Sequence, residues 1–193
     1  FKEMNEAKTT SQIFIDLDFY LTPNKNLVED EKPKRIILDK VLNKIEKHLL
    51  IIGGPGAGKT TMLKNIANKF YQNSNPIFTA PVVIRLREID FENSKASYRN
   101  IIHETIASFF GLIIDYPASK IEKYKNSNEE IDFKNRIITE FIDDLNVLLL
   151  IDGLDELPNS QIKNSILYEI RQISLSLNNS KFILTTRTGD YDF

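Results

Sequence analysis

Residues 53–60 read Gly-Gly-Pro-Gly-Ala-Gly-Lys-Thr, which fits the spacing G-x-x-x-x-G-K-[ST]. The chemistry of that spacing is the holding of a phosphate. Glycines let the backbone curl around an anion with its N–H groups pointing inward, where a side chain would block both the angles and the approach. A helix opening at Lys59 aims its positive end at the same anion. Lys59 is then expected to reach β- and γ-phosphates, the Thr60 hydroxyl to join the shell of a Mg²⁺ ion, and Thr61 to meet an α-phosphate. The expected nucleotide-binding set is therefore Gly53, Gly54, Pro55, Gly56, Ala57, Gly58, Lys59, Thr60 and Thr61. The bland alternative, a glycine-rich turn, lacks the context found here, an apolar strand before the loop and a helix after it.

A second group lies in Asn-Val-Leu-Leu-Leu-Ile-Asp-Gly-Leu-Asp-Glu-Leu, residues 146–157. Asp152 ends an apolar run, where an unpaired carboxylate is costly. A divalent cation removes that cost directly or through water, which makes Asp152, with Thr60, the expected metal ligand. Asp155 and Glu156 follow, and either could orient or deprotonate an attacking water; Glu156 is favoured. The competing reading makes the pair a solvated turn before Pro158.

These residues need elements to position them. Alternating residues in 11–23 suit a strand, 24–34 a charged linker, and Ile37, Leu38, Val41, Leu42 and Ile45 one face of a helix beginning at Arg35. His48 to Ile52 reads as a short buried strand. A helix from Lys59 turns Met62, Leu63, Ile66, Ala67 and Phe70 inward. Pro81 opens a strand running through Arg85 and Arg87 to Ile89. Tyr98 to Phe110 is helical with Ile101, Ile102, Ile106 and Phe109 inward, and Gly111 stops it. A polar, Lys-rich, mobile stretch, 116–130, precedes a helix carrying Phe133, Ile137, Ile138, Phe141, Ile142 and Leu145. Val147 to Ile151 is a strand, Ser160 to Leu177 a helix, and Lys181 to Arg187 a strand. Strands alternating with helices imply a parallel sheet covered on both faces, with ligands beyond the carboxyl ends of its strands.

Composition narrows the classes. The 193 residues include 41% hydrophobic and 27% charged, ordinary for one globular domain, and the net charge of -2 gives no global pull toward nucleic acid or anionic membrane. Without cysteine there is neither a disulfide framework nor a thiolate metal site. No apolar run approaches the roughly 20 residues of a membrane helix, and no signal-peptide pattern opens the chain, so a cytoplasmic setting is expected. An initial Phe suggests a fragment of a longer chain.

One resemblance is specific. Many ATPases of this sheet type place a glutamate directly after the metal-binding aspartate; here Gly153 follows, and the acidic pair is displaced to 155 and 156. An apolar run, Asp-Gly, an apolar residue and Asp-Glu resembles the NACHT family of signal-transducing (STAND) P-loop NTPases, whereas plant-resistance-type relatives usually end the strand in adjacent aspartates. Residues 81–89, containing Leu-Arg-Glu, look like the family's second core strand. Residues 182–191 look like its fourth, whose arginine senses the γ-phosphate, a role carried to Arg187.

The resemblance covers roughly residues 48–192. It implies a three-layer α/β P-loop core of strand order 5-1-4-3-2 with the fifth strand missing, a lead-in over 1–46 and the core over 47–193. It also implies bound ATP or ADP with Mg²⁺, and slow hydrolysis. Nucleotide-dependent homo-oligomerisation would drive covalently linked effector and sensor domains outside this stretch. Bacterial chains of this kind are associated with defence against phage, and the Ile-, Lys- and Asn-rich composition hints at an AT-rich bacterial genome. No Asn-Lys-x-Asp guanine-reading motif follows a core strand, which favours ATP, although some family members prefer GTP.

The remaining residues are read blandly. His48 and His103 have structural roles, and Arg85 and Arg87 share a polar strand face, with a functional role for Arg87 left open by the resemblance. Tyr98, Phe109 and Phe110 are core. Lys120, Lys123 and Lys125, interleaved with Glu122 and followed by Glu129 and Glu130, form a solvated surface rather than a nucleic-acid contact. Residues 27–36 are a candidate base-contacting segment. Two other functions stay open, a nucleic-acid-processing ATPase and a nucleotide-binding scaffold that does not hydrolyse.

Overall fold

A computed structural model describes residues 19–21, 34–36, 48–72, 77–91, 100–115 and 128–187. The chain divides into two compact units, Phe1–Lys47 and His48–Phe193. In the first, β1 (Phe19–Leu21) pairs antiparallel with β2 (Lys34–Ile36), Tyr20 opposite Arg35. The helix expected from Arg35 therefore does not begin there, because Arg35 and Ile36 are spent on this ladder. Its later residues, 37–45, lie outside the described residues, as do 11–18, Tyr98 and 116–127.

The second unit is a parallel sheet flanked by helices. Its strands are β3 (Leu49–Ile52), β4 (Ala80–Arg85), β5 (Val147–Asp152) and β6 (Lys181–Thr186), in the spatial order β3-β6-β5-β4. This is the expected order, with the Arg187-bearing strand between the phosphate-loop strand and the aspartate strand. Every residue of β5 is buried, as its unbroken apolar run requires for a strand covered on both faces. β3 corrects the expectation of a buried strand. It is half-buried, with Ile52 40% exposed, because among the described residues only β6 pairs with it.

The helices are α1 (Lys59–Gln72), α2 (Ile101–Phe110), α3 (Asn128–Asp144) and α4 (Ser160–Ser176). Met62, Leu63 and Ile66 are buried on α1, which packs against β4 and β5. The other sheet face presents Val82, Ile84, Leu149, Ile151 and Leu184 to Ile102 and Ile106 of α2, Ile138 and Ile142 of α3, and Ile162, Ile166, Ile170 and Ile173 of α4. Gly111 ends α2 at φ +64°, its N–H bonding to Ser108 O while Leu112 N–H returns to Ala107 O, a Schellman closure. The Asn159 side chain accepts from Ile162 N–H and caps α4.

Three further expectations are corrected. β4 stops at Arg85, and Leu86–Glu88 closes as a 3₁₀ turn with Ile89 N–H on Leu86 O, so Arg85 and Arg87 do not share a strand face. Arg85 instead pairs with Glu88 at 2.8 Å. Phe109 is 53% exposed, whereas Phe110 turns in and meets Phe141 edge to face. Asn128, Glu129 and Glu130, placed in the polar stretch, form the first turn of α3. Among the described residues, no helix is long and apolar enough to cross a membrane.

Candidate nucleotide site

The phosphate loop links the end of β3 to the start of α1. Gly56 and Gly58 adopt φ of +73° and +78°, the left-handed region that favours glycine. Gly53 is tied to the neighbouring strand, its N–H donating to Thr186 O at 3.2 Å. Ala57 N–H donates to Gly54 O, and Met62 N–H to Gly58 O, which starts the helical ladder. Pro55, Gly56 and Ala57 form the exposed tip, Thr60 is half-buried, and Thr61 faces solvent. The Lys59 ammonium folds onto the loop, donating to Gly53 O at 2.6 Å and Gly54 O at 3.2 Å. No acidic residue lies in the first turn of α1, so nothing there cancels the helix's positive end.

Asp152 ends β5 with 6% exposure. Side chains alternate along a strand, so Asp152 shares the face of Leu148 and Leu150, and Thr185 that of Ile183. The Thr185 hydroxyl donates to Asp152 Oδ1 at 2.6 Å and accepts from Gly153 N–H at 3.0 Å. Thr185 was not among the sequence candidates, although two threonines ending an apolar strand were a signal. Its partner, 33 positions away, is set by sheet order.

The chain then turns sharply. Gly153 has φ +86°, and a Cβ there would meet Glu156 Oε2 at 2.8 Å. Leu154–Glu156 forms a 3₁₀ turn with Glu156 N–H on Gly153 O. This turn separates the acidic pair. Asp155, its side chain 4% exposed, meets Arg187 Nε at 2.6 Å. Glu156 is exposed, with Arg87 Nε 4.0 Å from its Oε2. The structure thus joins Arg187 to Asp155, Asp152 to the Arg187 strand, and the loop to that same strand.

Thr60 and Asp152 are hard oxygen donors, the chemistry that suits Mg²⁺, which takes one or two protein oxygens and fills its shell with phosphate oxygens and water. No group of three or more His, Cys, Asp or Glu gathers as an all-protein cage among the described residues. The histidines lie elsewhere in structural roles. His48 stacks on Phe182 with ring centroids 4.2 Å apart and accepts from Phe182 N–H through Nδ1. His103 Nδ1 lies 2.6 Å from the buried Glu169 carboxylate, and its Nε2 3.0 Å from Thr139 Oγ1.

A family model described as "Nephrocystin 3, N-terminal" matches residues 28–187. A curated protein of Plasmodium falciparum (isolate 3D7), named "Putative cell division cycle ATPase", is 28% identical over 120 residues. That alignment covers 62% of this chain and 9% of the Plasmodium protein, so the chain spans a small part of its relative's length.

Proposed function

The chain belongs to the nephrocystin 3 N-terminal family, and we propose that it binds and slowly hydrolyses ATP as the nucleotide switch of a larger signalling protein. One observation carries this reading. The ends of β3, β6 and β5 are joined through Gly53 N–H to Thr186 O and through Thr185 Oγ1 to Asp152, so loop, arginine strand and acidic strand form one hydrogen-bonded edge. The relative's name, an ATPase, points the same way.

In this reading the loop N–H groups and the end of α1 hold the β-phosphate, and Lys59 leaves the Gly53 and Gly54 carbonyls for phosphate oxygens. Thr60 and Asp152 would hold Mg²⁺, which would supply charge neutralisation at the phosphate oxygens. Glu156 orients the attacking water, because its carboxylate is open to solvent whereas that of Asp155 is buried. Arg187 senses the γ-phosphate by exchanging Asp155 for it. Nucleotide-dependent assembly into a homo-oligomer would pass that state to attached effector and sensor domains. The Asp152–Glu156 arrangement favours a NACHT-type switch and the composition a bacterial one, and a phage-defence setting is what that resemblance implies.

Lys59→Ala tests the site. Loss of ATP and ADP affinity by about a hundredfold, the scale of one charged contact to a buried phosphate, is expected by calorimetry; unchanged affinity removes the assignment. A second reading, a turnover ATPase acting on nucleic acid, draws on the phosphate loop, which enzymes of that kind share. Fast hydrolysis stimulated by DNA or RNA would establish it over the switch.

A further inference from the structure

We infer that Thr185 is a positioning residue for Mg²⁺, fixing the carboxylate of Asp152 from the neighbouring strand; this rests on the nucleotide-site reading above. Thr185 is fully buried, and its hydroxyl has a single proton. Gly153 N–H points at a lone pair of that oxygen at 3.0 Å, so the proton is directed to Asp152 Oδ1 at 2.6 Å. That bond fixes the plane of the carboxylate, and its remaining lone pairs are held ready to meet the cation or its water. A β-branched side chain in a strand has restricted χ1, which holds the hydroxyl in place without further support.

The same contact reaches both sides of the strand end. Thr185 belongs to β6, two residues before Arg187, and its neighbour Thr186 receives Gly53 N–H through its carbonyl. A carboxylate that rotated freely would have to be ordered each time the cation bound. Thr185 supplies that order beforehand, as partners outside a metal's immediate ligands commonly do.

The test is a Mg²⁺ titration of fluorescent ADP binding by the 193-residue chain, a readout independent of hydrolysis. Thr185→Val keeps the shape and removes the hydroxyl, and Thr185→Ser restores it. The Mg²⁺ concentration at half-saturation is expected to rise about tenfold in Thr185→Val, the low end for loss of such a partner, with Thr185→Ser near the parent and metal-free ADP affinity unchanged in both. Thr185→Ala serves as a second variant should the valine chain not fold. A lower melting temperature with an unmoved Mg²⁺ midpoint, while Asp152→Asn shifts it, would overturn the positioning role and leave the nucleotide site standing. Unmoved midpoints in both Thr185→Val and Asp152→Asn, with Lys59→Ala still binding ADP, would overturn both.

Discussion

Arg187 Nε lies 2.6 Å from Asp155 Oδ2, and the two partners differ in burial, with side-chain exposures of 48% and 4%. The pair is therefore asymmetric. Arg187 can turn to water when its partner is lost, whereas Asp155 cannot. Arg187→Ala is expected to cost about 2–3 kcal/mol by leaving a buried carboxylate unpaired, and Asp155→Asn about 1 kcal/mol or less. Urea denaturation checks the order, and equal costs would show that Asp155 has other support. Freed from Asp155, Arg187 should also favour ATP over ADP by about tenfold more than in the parent, a coupling of ordinary size.

Glu156 and Gly153 form the second relationship. Glu156→Gln keeps the side chain's shape and removes its charge, so ATP affinity should persist while single-turnover hydrolysis falls about a hundredfold, the usual scale for a general base. Gly153→Ala attacks the same side chain from below. Its Cβ would sit 2.8 Å from Glu156 Oε2 on a backbone at φ +86°, costing about 1–2 kcal/mol in strain. Hydrolysis should fall with Glu156 displaced, and a variant that keeps full turnover would move the base elsewhere.

The strands were legible because β5 is an unbroken apolar run and β6 carries Phe182, Ile183 and Leu184 in succession, as strands covered on both faces require, whereas their order came from the family resemblance. The phosphate loop was legible because its glycines and lysine are local in sequence. The end of β4 was not. Ile84, Arg85, Leu86 and Arg87 continue the alternation of a strand, yet the chain closes a 3₁₀ turn that buries Leu86 all the same. Thr185, Glu169 and Asp143 were missed because each finds partners more than 30 positions away. Glu169 did leave a trace, standing at an inward position of α4 between Ile166 and Ile173. A charge in an apolar stripe signals a buried partner rather than a break in the pattern.

That partner set yields a third prediction. Glu169 is 2% exposed and accepts from Ile102 N–H at 3.0 Å and His103 N–H at 2.9 Å, besides lying 2.6 Å from His103 Nδ1. It thus caps the start of α2 from α4. Glu169→Ala orphans two buried N–H groups and is expected to cost about 3 kcal/mol. His103→Gln should cost less, since the backbone donors keep their acceptor. Denaturation midpoints compare the two, and a milder effect from Glu169→Ala would deny the capping role.

Two groups should make stability depend on pH in separate windows. Burial lowers the His48 pKa, Ser174 O opposes this, and the charge of Lys181 adds to the lowering, so the group sits below the ordinary histidine value of 6.5. The neutral ring is the one the fold uses, since Nδ1 accepts from Phe182 N–H. In the interval between the folded and unfolded values the unfolded chain binds more protons, so stability rises with pH. His48's contribution is full above about pH 6.5 and is lost as pH falls through the lower folded value. For Asp143, burial alone would raise the pKa, but the N–H groups of Ser180, Asn178 and Asn179 and the charge of Lys181 outweigh it and leave the carboxyl below its ordinary range. That contribution is present above the ordinary aspartate value and is lost only as pH falls below about 4. His48→Phe, which keeps the stacking, should flatten the loss that begins below about pH 6.5 and leave the acid limb intact. Asp143→Asn should do the reverse, at a cost of about 1–3 kcal/mol near neutrality from weakened N–H bonding. Urea midpoints measured across pH 3 to 8 separate the two limbs, and a His48→Phe chain with an unchanged profile would assign the upper limb to another group.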